Sequence, residues 1–124
     1  MSKPKPYGYE LILDLHGCDE STFNRESLTE FFVQLCDAID MVRCDLHFWD
    51  ADNTPQELTS PHTKGTSAVQ FIITSNITIH TLNELRAAYV NVFSCKPFDE
   101  KVAEELTWRF FGAKSHHIRF IERD

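Results

Sequence analysis

The residues of this chain with the most chemical potential are gathered between Ser67 and Cys95: two serines, Ser67 and Ser75, then His80, Glu84 and Cys95. A serine hydroxyl becomes a nucleophile beside a base, an imidazole moves protons near neutral pH, and a thiol can act as nucleophile or acid. Taken singly, these residues are ordinary. A serine between two strands is usually a turn residue, a histidine on a strand is usually a satisfied core or surface group, and a cysteine at a strand end is usually a small buried hydrophobe. A Cys–His hydrolase built on Cys95 and His80 is one chemistry their types allow, yet neither a nucleophile elbow nor a local cysteine signature surrounds Cys95. No metal site is expected. Cys18, Cys36, Cys44 and Cys95 form no C-x-x-C pair, and the histidines complete no zinc pattern. His116 and His117 are adjacent on an expected strand and so point to opposite faces, one toward the core and one to the surface.

The elements that must position these residues follow from hydrophobic period. Tyr9, Leu11, Leu13 and Leu15 alternate with Glu10, Ile12, Asp14 and His16, which predicts a strand over 7–16 with one apolar face. Leu28, Phe31, Phe32, Leu35 and Ile39 form a helical stripe over 25–40, with Ser27-x-x-Glu30 as a capping box and Asn24 as a competing N-cap. A second strand is expected over 42–49. Residues 50–64 hold two prolines and mostly polar side chains, a loop long enough to serve as a lid. Residues 66–81 read as two strands separated by a polar break at Thr74-Ser75-Asn76, followed by a strand over 87–94. Asp99 caps a second helix carrying Val102, Leu106 and Phe110 on one face, Gly112 ends it, and 115–122 is the last strand. Two amphipathic helices each need a sheet to cover. The fold class is therefore α+β, a mainly antiparallel sheet with both helices on one face. The β-α-β order at each end hints at a weak internal duplication.

Composition narrows the partners. The 124 residues fit one domain spanning 1–124, and a second copy would help so small a chain bury a sheet face. Lys plus Arg is 12 against 19 Asp plus Glu, a net charge of −7. Nucleic-acid binding needs a basic surface that is missing here, whereas an acidic protein favours a small cationic ligand. No run approaches the ~20 apolar residues of a membrane span, and the start MSKPKPYGYE has no apolar signal core. A cytoplasmic protein with reduced thiols is expected.

The polar residues also fall in a family order. Gly65 and Ser67, the segment Ser75 to Glu84 (SNITIHTLNE), and Phe93-Ser94-Cys95 resemble the motifs of the bacterial and archaeal S-adenosylmethionine decarboxylases, and the opening strand with Gly17-Cys18-Asp19 is similar too. The resemblance runs from about Tyr7 to the C-terminus. It implies a pyruvoyl-dependent decarboxylase of polyamine biosynthesis, made as a zymogen that cuts itself between Thr74 and Ser75 and folds as an αββα sandwich of two protomers. Ser75 would become the pyruvoyl cofactor. His80 would remove its Cα proton, Ser67 would hydrogen-bond the processing intermediates, and Cys95 would return a proton after the substrate's Schiff base loses CO₂. Glu84 would contact ribose hydroxyls, Phe48 and Trp49 would offer an aromatic face to adenine, and Asp14 would add an acidic contact.

Departures from the family pattern cluster around the pocket. Thr74 stands where Glu or Lys is frequent, Asn76 replaces His, Leu82-Asn83 replaces Trp-Pro, Leu85-Arg86-Ala87 replaces an aromatic run, and Asn91 replaces Asp. Two alternatives follow. One is an ornithine or arginine decarboxylase on the same scaffold. The other is a non-cleaving paralogue without enzyme activity.

Overall fold

The computed structural model describes residues 4–50 and 60–124. Six strands and two α-helices follow in the order β1 (Gly8–His16), α1 (Arg25–Ala38), β2 (Arg43–Asp50), β3 (Thr66–Ile72), β4 (Ser75–Leu82), β5 (Ala87–Ser94), α2 (Glu100–Phe110) and β6 (Ser115–Arg123). A short 3₁₀ turn at Glu20–Thr22 precedes α1. All strands join one sheet in the order β2-β3-β4-β5-β1-β6, each neighbouring pair antiparallel. That alternation makes β1 parallel to β2 and β5 parallel to β6, so each helix is the crossover of a β-α-β unit. A right-handed crossover running one way from β1 and another running the opposite way from antiparallel β5 place both helices over the same face. The fold is α+β as the residue pattern requires, and the helices contact each other above the sheet.

Alternation decides what each face holds. Leu11, Leu13, Leu15, Ile77, Ile79, Ala88, Val90 and Val92 are buried beneath the helices. Phe31 packs against both Phe110 and Phe111, with ring centroids 5.5 and 4.8 Å apart, and so ties α1 to α2. Asn24, not Ser27, caps α1: its side-chain oxygen accepts from the Ser27 N–H at 2.8 Å. Asp99 caps α2 by accepting from the Lys101 and Val102 N–H groups. The buried stripe of α2 differs from the expected one. Ala103, Thr107 and Phe111 are fully buried, Leu106 and Phe110 are half-buried, and Val102 is exposed. Thr107 enters the core because its hydroxyl donates to the Ala103 carbonyl of its own helix at 2.7 Å, which removes the cost of burying it. Gly112 follows α2 in the left-handed region, as a residue just past a helix C-terminus should.

Most of the loop read over 50–64 lies outside the described residues; of what remains, 61–63 form a turn. His116 is half-buried, 2.8 Å from Glu104 and stacked on Trp108, while neighbouring His117 is exposed, as opposite faces demand. No helix among the described residues is long and apolar enough to cross a membrane.

Among the described residues, nothing covers the sheet face turned away from the helices. It carries Trp49, Phe71, Tyr89 and Ile121, which are 57%, 44%, 36% and 39% exposed.

Candidate active site

The chemical residues gather at two opposite ends of β4. At one end, Ser67 on β3 and His80 on β4 are directly paired in register, and Ser67 Oγ lies 2.8 Å from His80 Nδ1. The register continues across the open face as a row of Trp49, Ser67, His80, Tyr89 and Asp14, with His117 beyond. Gly65 makes this end possible. A Cβ on it would stand 1.6 Å from the Thr81 carbonyl oxygen, so only glycine lets β3 approach β4 there. Thr81 completes the closure: its hydroxyl accepts from the Thr66 N–H and donates to the Thr66 carbonyl, both at 3.1 Å. Glu84 lies beyond the same end, in the β4–β5 turn, exposed and 3.9 Å from Lys64 Nζ.

Phe48 does not share that surface. Adjacent strand residues face opposite ways, so Phe48 turns beneath α1 against the core, where the Arg25 guanidinium lies over its ring. Trp49 alone of the expected aromatic pair reaches the open face. Asp14 is on that face with Arg119 3.9 Å away.

At the other end, Ser75 is the first residue of β4, just after the turn from β3. Its hydroxyl donates to the carbonyl oxygen of Thr74 at 2.7 Å, and the Cys95 N–H donates to Ser75 Oγ at 3.0 Å. Thr74 Oγ1 and Cys95 Sγ share a hydrogen bond of 3.0 Å. That bond is the main cause of a Cys95 thiol pKa below its ordinary value, with Ser75 adding to it and partial burial opposing. Cys18 and Cys36 behave oppositely: desolvation pushes each thiol up to about 11, so they stay protonated and inert at neutral pH. Among the described residues the four cysteines are unpaired and no His/Cys/Asp/Glu cluster could hold a metal.

This arrangement sets a serine hydroxyl against the carbonyl of its own preceding residue, with a thiol whose proton is loosened beside it. Ser67 and His80 stay apart from it. Five residues of strand separate His80 from Ser75, about 17 Å at ~3.3 Å per residue, and odd and even positions face opposite ways. Within one chain the structure joins Ser67 to His80, and joins Thr74, Ser75 and Cys95; it does not join the two groups. Two features escape a reading of the sequence. Tyr89 completes the row beside His80, a place its alternation within 87–94 would reveal only with the register known. The Thr74 side chain reaches Cys95 across a turn, which no local pattern signals.

Fold and site together define an α+β scaffold that holds a serine hydroxyl on the carbonyl of its preceding residue, and its relatives place it in a family. The family model described as S-adenosylmethionine decarboxylase matches residues 9–124. The chain belongs to that family. An S-adenosylmethionine decarboxylase proenzyme of Saccharolobus solfataricus is 32% identical over 122 residues, covering 97% of this chain and 90% of its own length. One from Clostridium botulinum is 31% identical over 96 residues, covering 76% of this chain and 74% of its own. The crystal structure of the adenosylmethionine decarboxylase from Aquifex aeolicus matches with a TM-score of 0.77 at 21% identity, covering 97% of this chain and 92% of that one, which supports the fold.

Proposed function

We propose that this chain is a proenzyme that cleaves itself between Thr74 and Ser75 and then decarboxylates S-adenosylmethionine. The observation that carries the reading is the Ser75 hydroxyl lying 2.7 Å from the Thr74 carbonyl oxygen, held there by the Cys95 N–H. Attack of Ser75 Oγ on the Thr74 carbonyl carbon forms an ester as the C–N bond breaks and the amine takes a proton. A base then removes the Cα proton of residue 75, and the Thr74 carboxylate leaves. Water replaces the nitrogen of the resulting dehydroalanine, ammonia departs, and a pyruvoyl group remains at the head of the 75–124 fragment. Ser75 fits this requirement, standing at the head of a strand with its hydroxyl on the scissile carbonyl. The pyruvoyl group supplies an electron sink for the carbon that loses CO₂.

The base in this scheme is His80 from a second copy, because the chain's own His80 is five residues away along β4. Two open faces stacked with strands reversed would set the Ser67–His80 end of one protomer over the Thr74–Ser75 turn of the other, so that the imidazole meets the main chain of residue 75, whose side chain turns to the helix side. The uncovered Trp49, Phe71, Tyr89 and Ile121 support such an αββα homodimer, since exposed apolar patches mark interfaces. Ser67 would orient the imidazole. Cys95 would hand a proton to the product carbon, and its neighbour Thr74 would set that proton's lability. Trp49 would stack on adenine, Glu84 would accept from ribose hydroxyls, and Asp14 would favour the cationic substrate. The reading takes 1–124 as one processed unit in the cytoplasm, which the unpaired cysteines suit.

Denaturing mass spectrometry tests it. Fragments 1–74 and 75–124 should appear, the second blocked at its N-terminus and reducible by borohydride. Ser75→Ala should leave the chain whole, with stability changed by only about 1 kcal/mol because a small side chain at a strand end packs little. Processed protein should release CO₂ from S-adenosylmethionine in preference to ornithine or arginine. A wild-type chain that stays intact on long incubation would point to the non-cleaving paralogue.

A further inference from the structure

Trp49 reaches the open face only because β2 contains an extra residue. Arg43 pairs with Ile72 on β3, yet the next pair is Leu46 with Gln70, so three steps on β2 match two on β3. The bulge lies at Cys44-Asp45, opposite Phe71. Side chains alternate with period two, and one inserted residue therefore exchanges the faces of everything after it. A regular β2 continuing from the Arg43–Ile72 pair would put Trp49 beneath α1 and Phe48 on the open face. With the bulge, Leu46, Phe48 and Asp50 turn to the helices, and Trp49 stands opposite Ser67.

A bulge leaves ladder groups without strand partners, and here one side chain satisfies them. Among the described residues Gln70 is fully buried, the one amide side chain where the other buried residues are apolar or carry small hydroxyls. Its amide nitrogen donates to the Cys44 carbonyl at 2.9 Å and to the Asp45 carbonyl at 3.3 Å, both in the bulge, and to the Phe71 carbonyl opposite at 2.9 Å. Its amide oxygen accepts from Arg43 Nε, at the edge of the bulge, at 3.0 Å. A buried glutamine among aliphatic residues carries a desolvation cost unless every group is used, and these four contacts all lie at one irregularity.

We infer that Gln70 is a positioning residue for the substrate site: it holds the β2 bulge that delivers Trp49, rather than Phe48, to the Ser67–His80 end of the open face. The inference rests on the reading of Trp49 as a substrate contact, and two measurements separate the failure of one from the failure of the other.

The first measurement does not involve substrate. Trp49 and Trp108 are the two tryptophans. In a Trp108→Phe background, Gln70→Glu and Gln70→Leu should shift Trp49 emission and its quenching by iodide. Gln70→Glu keeps the acceptor for Arg43 and replaces the donor to the bulge carbonyls with a second carboxyl oxygen, which those carbonyls repel; Gln70→Leu removes both polar groups without adding charge, so either variant serves if the other folds poorly. Unchanged Trp49 fluorescence in the glutamate variant would overturn the inference. The second measurement is kinetic, on cleaved protein. Self-cleavage should persist, because none of Ser67, Ser75, His80 and Cys95 lies on β2, the strand that carries the bulge. KM for S-adenosylmethionine should rise about tenfold, the worth of one aromatic contact, with kcat within about twofold. Trp49→Ala should do the same, and the double variant should add nothing. A role confined to stability would lower Tm and leave KM unmoved, which also overturns the inference. If Trp49→Ala itself left KM unchanged, the substrate role of Trp49 would fall, and the fluorescence would still report whether Gln70 places it.

Discussion

Thr74 holds two positions at once: it contributes the carbonyl that Ser75 faces and the hydroxyl that meets Cys95 Sγ. The thiol pKa is lowered chiefly by that hydroxyl. A lowered pKa means the thiolate forms at lower pH than for an ordinary thiol, so Cys95 should react with iodoacetamide at correspondingly lower pH. The measurement is peptide-resolved alkylation against pH on uncleaved His80→Ala protein, in which Thr74 stays in place. Thr74→Val should move the rise in reactivity to higher pH, because the first cause of the shift is gone. A curve that does not move would assign the shift elsewhere. In the processed enzyme, Cys95→Ala should still cleave but lose about 10²–10⁴ in kcat, the usual worth of a positioned acid.

Between neighbouring strands, the glycine with least room for a side chain is Gly65, against the Thr81 carbonyl at the mouth of the Ser67–His80 pair. Backbone cannot yield as a flexible side chain can. Gly65→Ala should therefore destabilise the fold by about 3 kcal/mol, the upper end for overpacking, and part β3 from β4 where Ser67 meets His80. Both Tm and the half-life of cleavage should change, although Ser75 is untouched. An alanine variant of native stability and cleavage rate would show that the approach relaxes at no cost.

That glycine also marks what the sequence could disclose. Gly65-x-Ser67 is visible as a motif, but its physical reason is a contact with a residue on the next strand. Period two located the strands, including the buried Leu11, Leu13 and Leu15, because sheet faces differ strongly in polarity. Helix α2 is legible in place and in its Asp99 cap, yet its buried stripe lies one residue later than the apolar pattern suggests, since Ala103 and Thr107 are small or polar and Val102 looks like core. The split of Phe48 from Trp49 follows from alternation alone. Which of the two faces the site depends on a bulge that only the β2–β3 register reveals. Sheet order was hidden altogether, since β1 inserts between β5 and β6 through contacts far apart in the chain.

At the scale of the whole molecule, the proposed mechanism needs a second copy, because it takes its base from the far end of β4. Ser75 with Cys95, and Ser67 with His80, sit at opposite ends of β4, and in the proposed dimer each protomer would contribute halves of two different sites. Two inactive variants should then restore each other. Ser75→Ala cannot form the ester but presents an intact His80. His80→Ala presents no base but keeps Ser75. In a mixed dimer one site combines the wild-type Ser75 of the second variant with the wild-type His80 of the first, and the other site lacks both. Co-expression with distinguishable tags should give cleavage confined to the His80→Ala chain, in at most half of the sites of each mixed dimer. Each variant expressed alone should remain whole. Mixing folded homodimers should restore cleavage only as fast as subunits exchange, because the missing base arrives with the partner. If His80→Ala cleaves alone, His80 is not the base. If co-expression yields mixed dimers that stay intact while wild type cleaves, the two halves do not meet across the open faces, and the sheet-to-sheet arrangement is wrong.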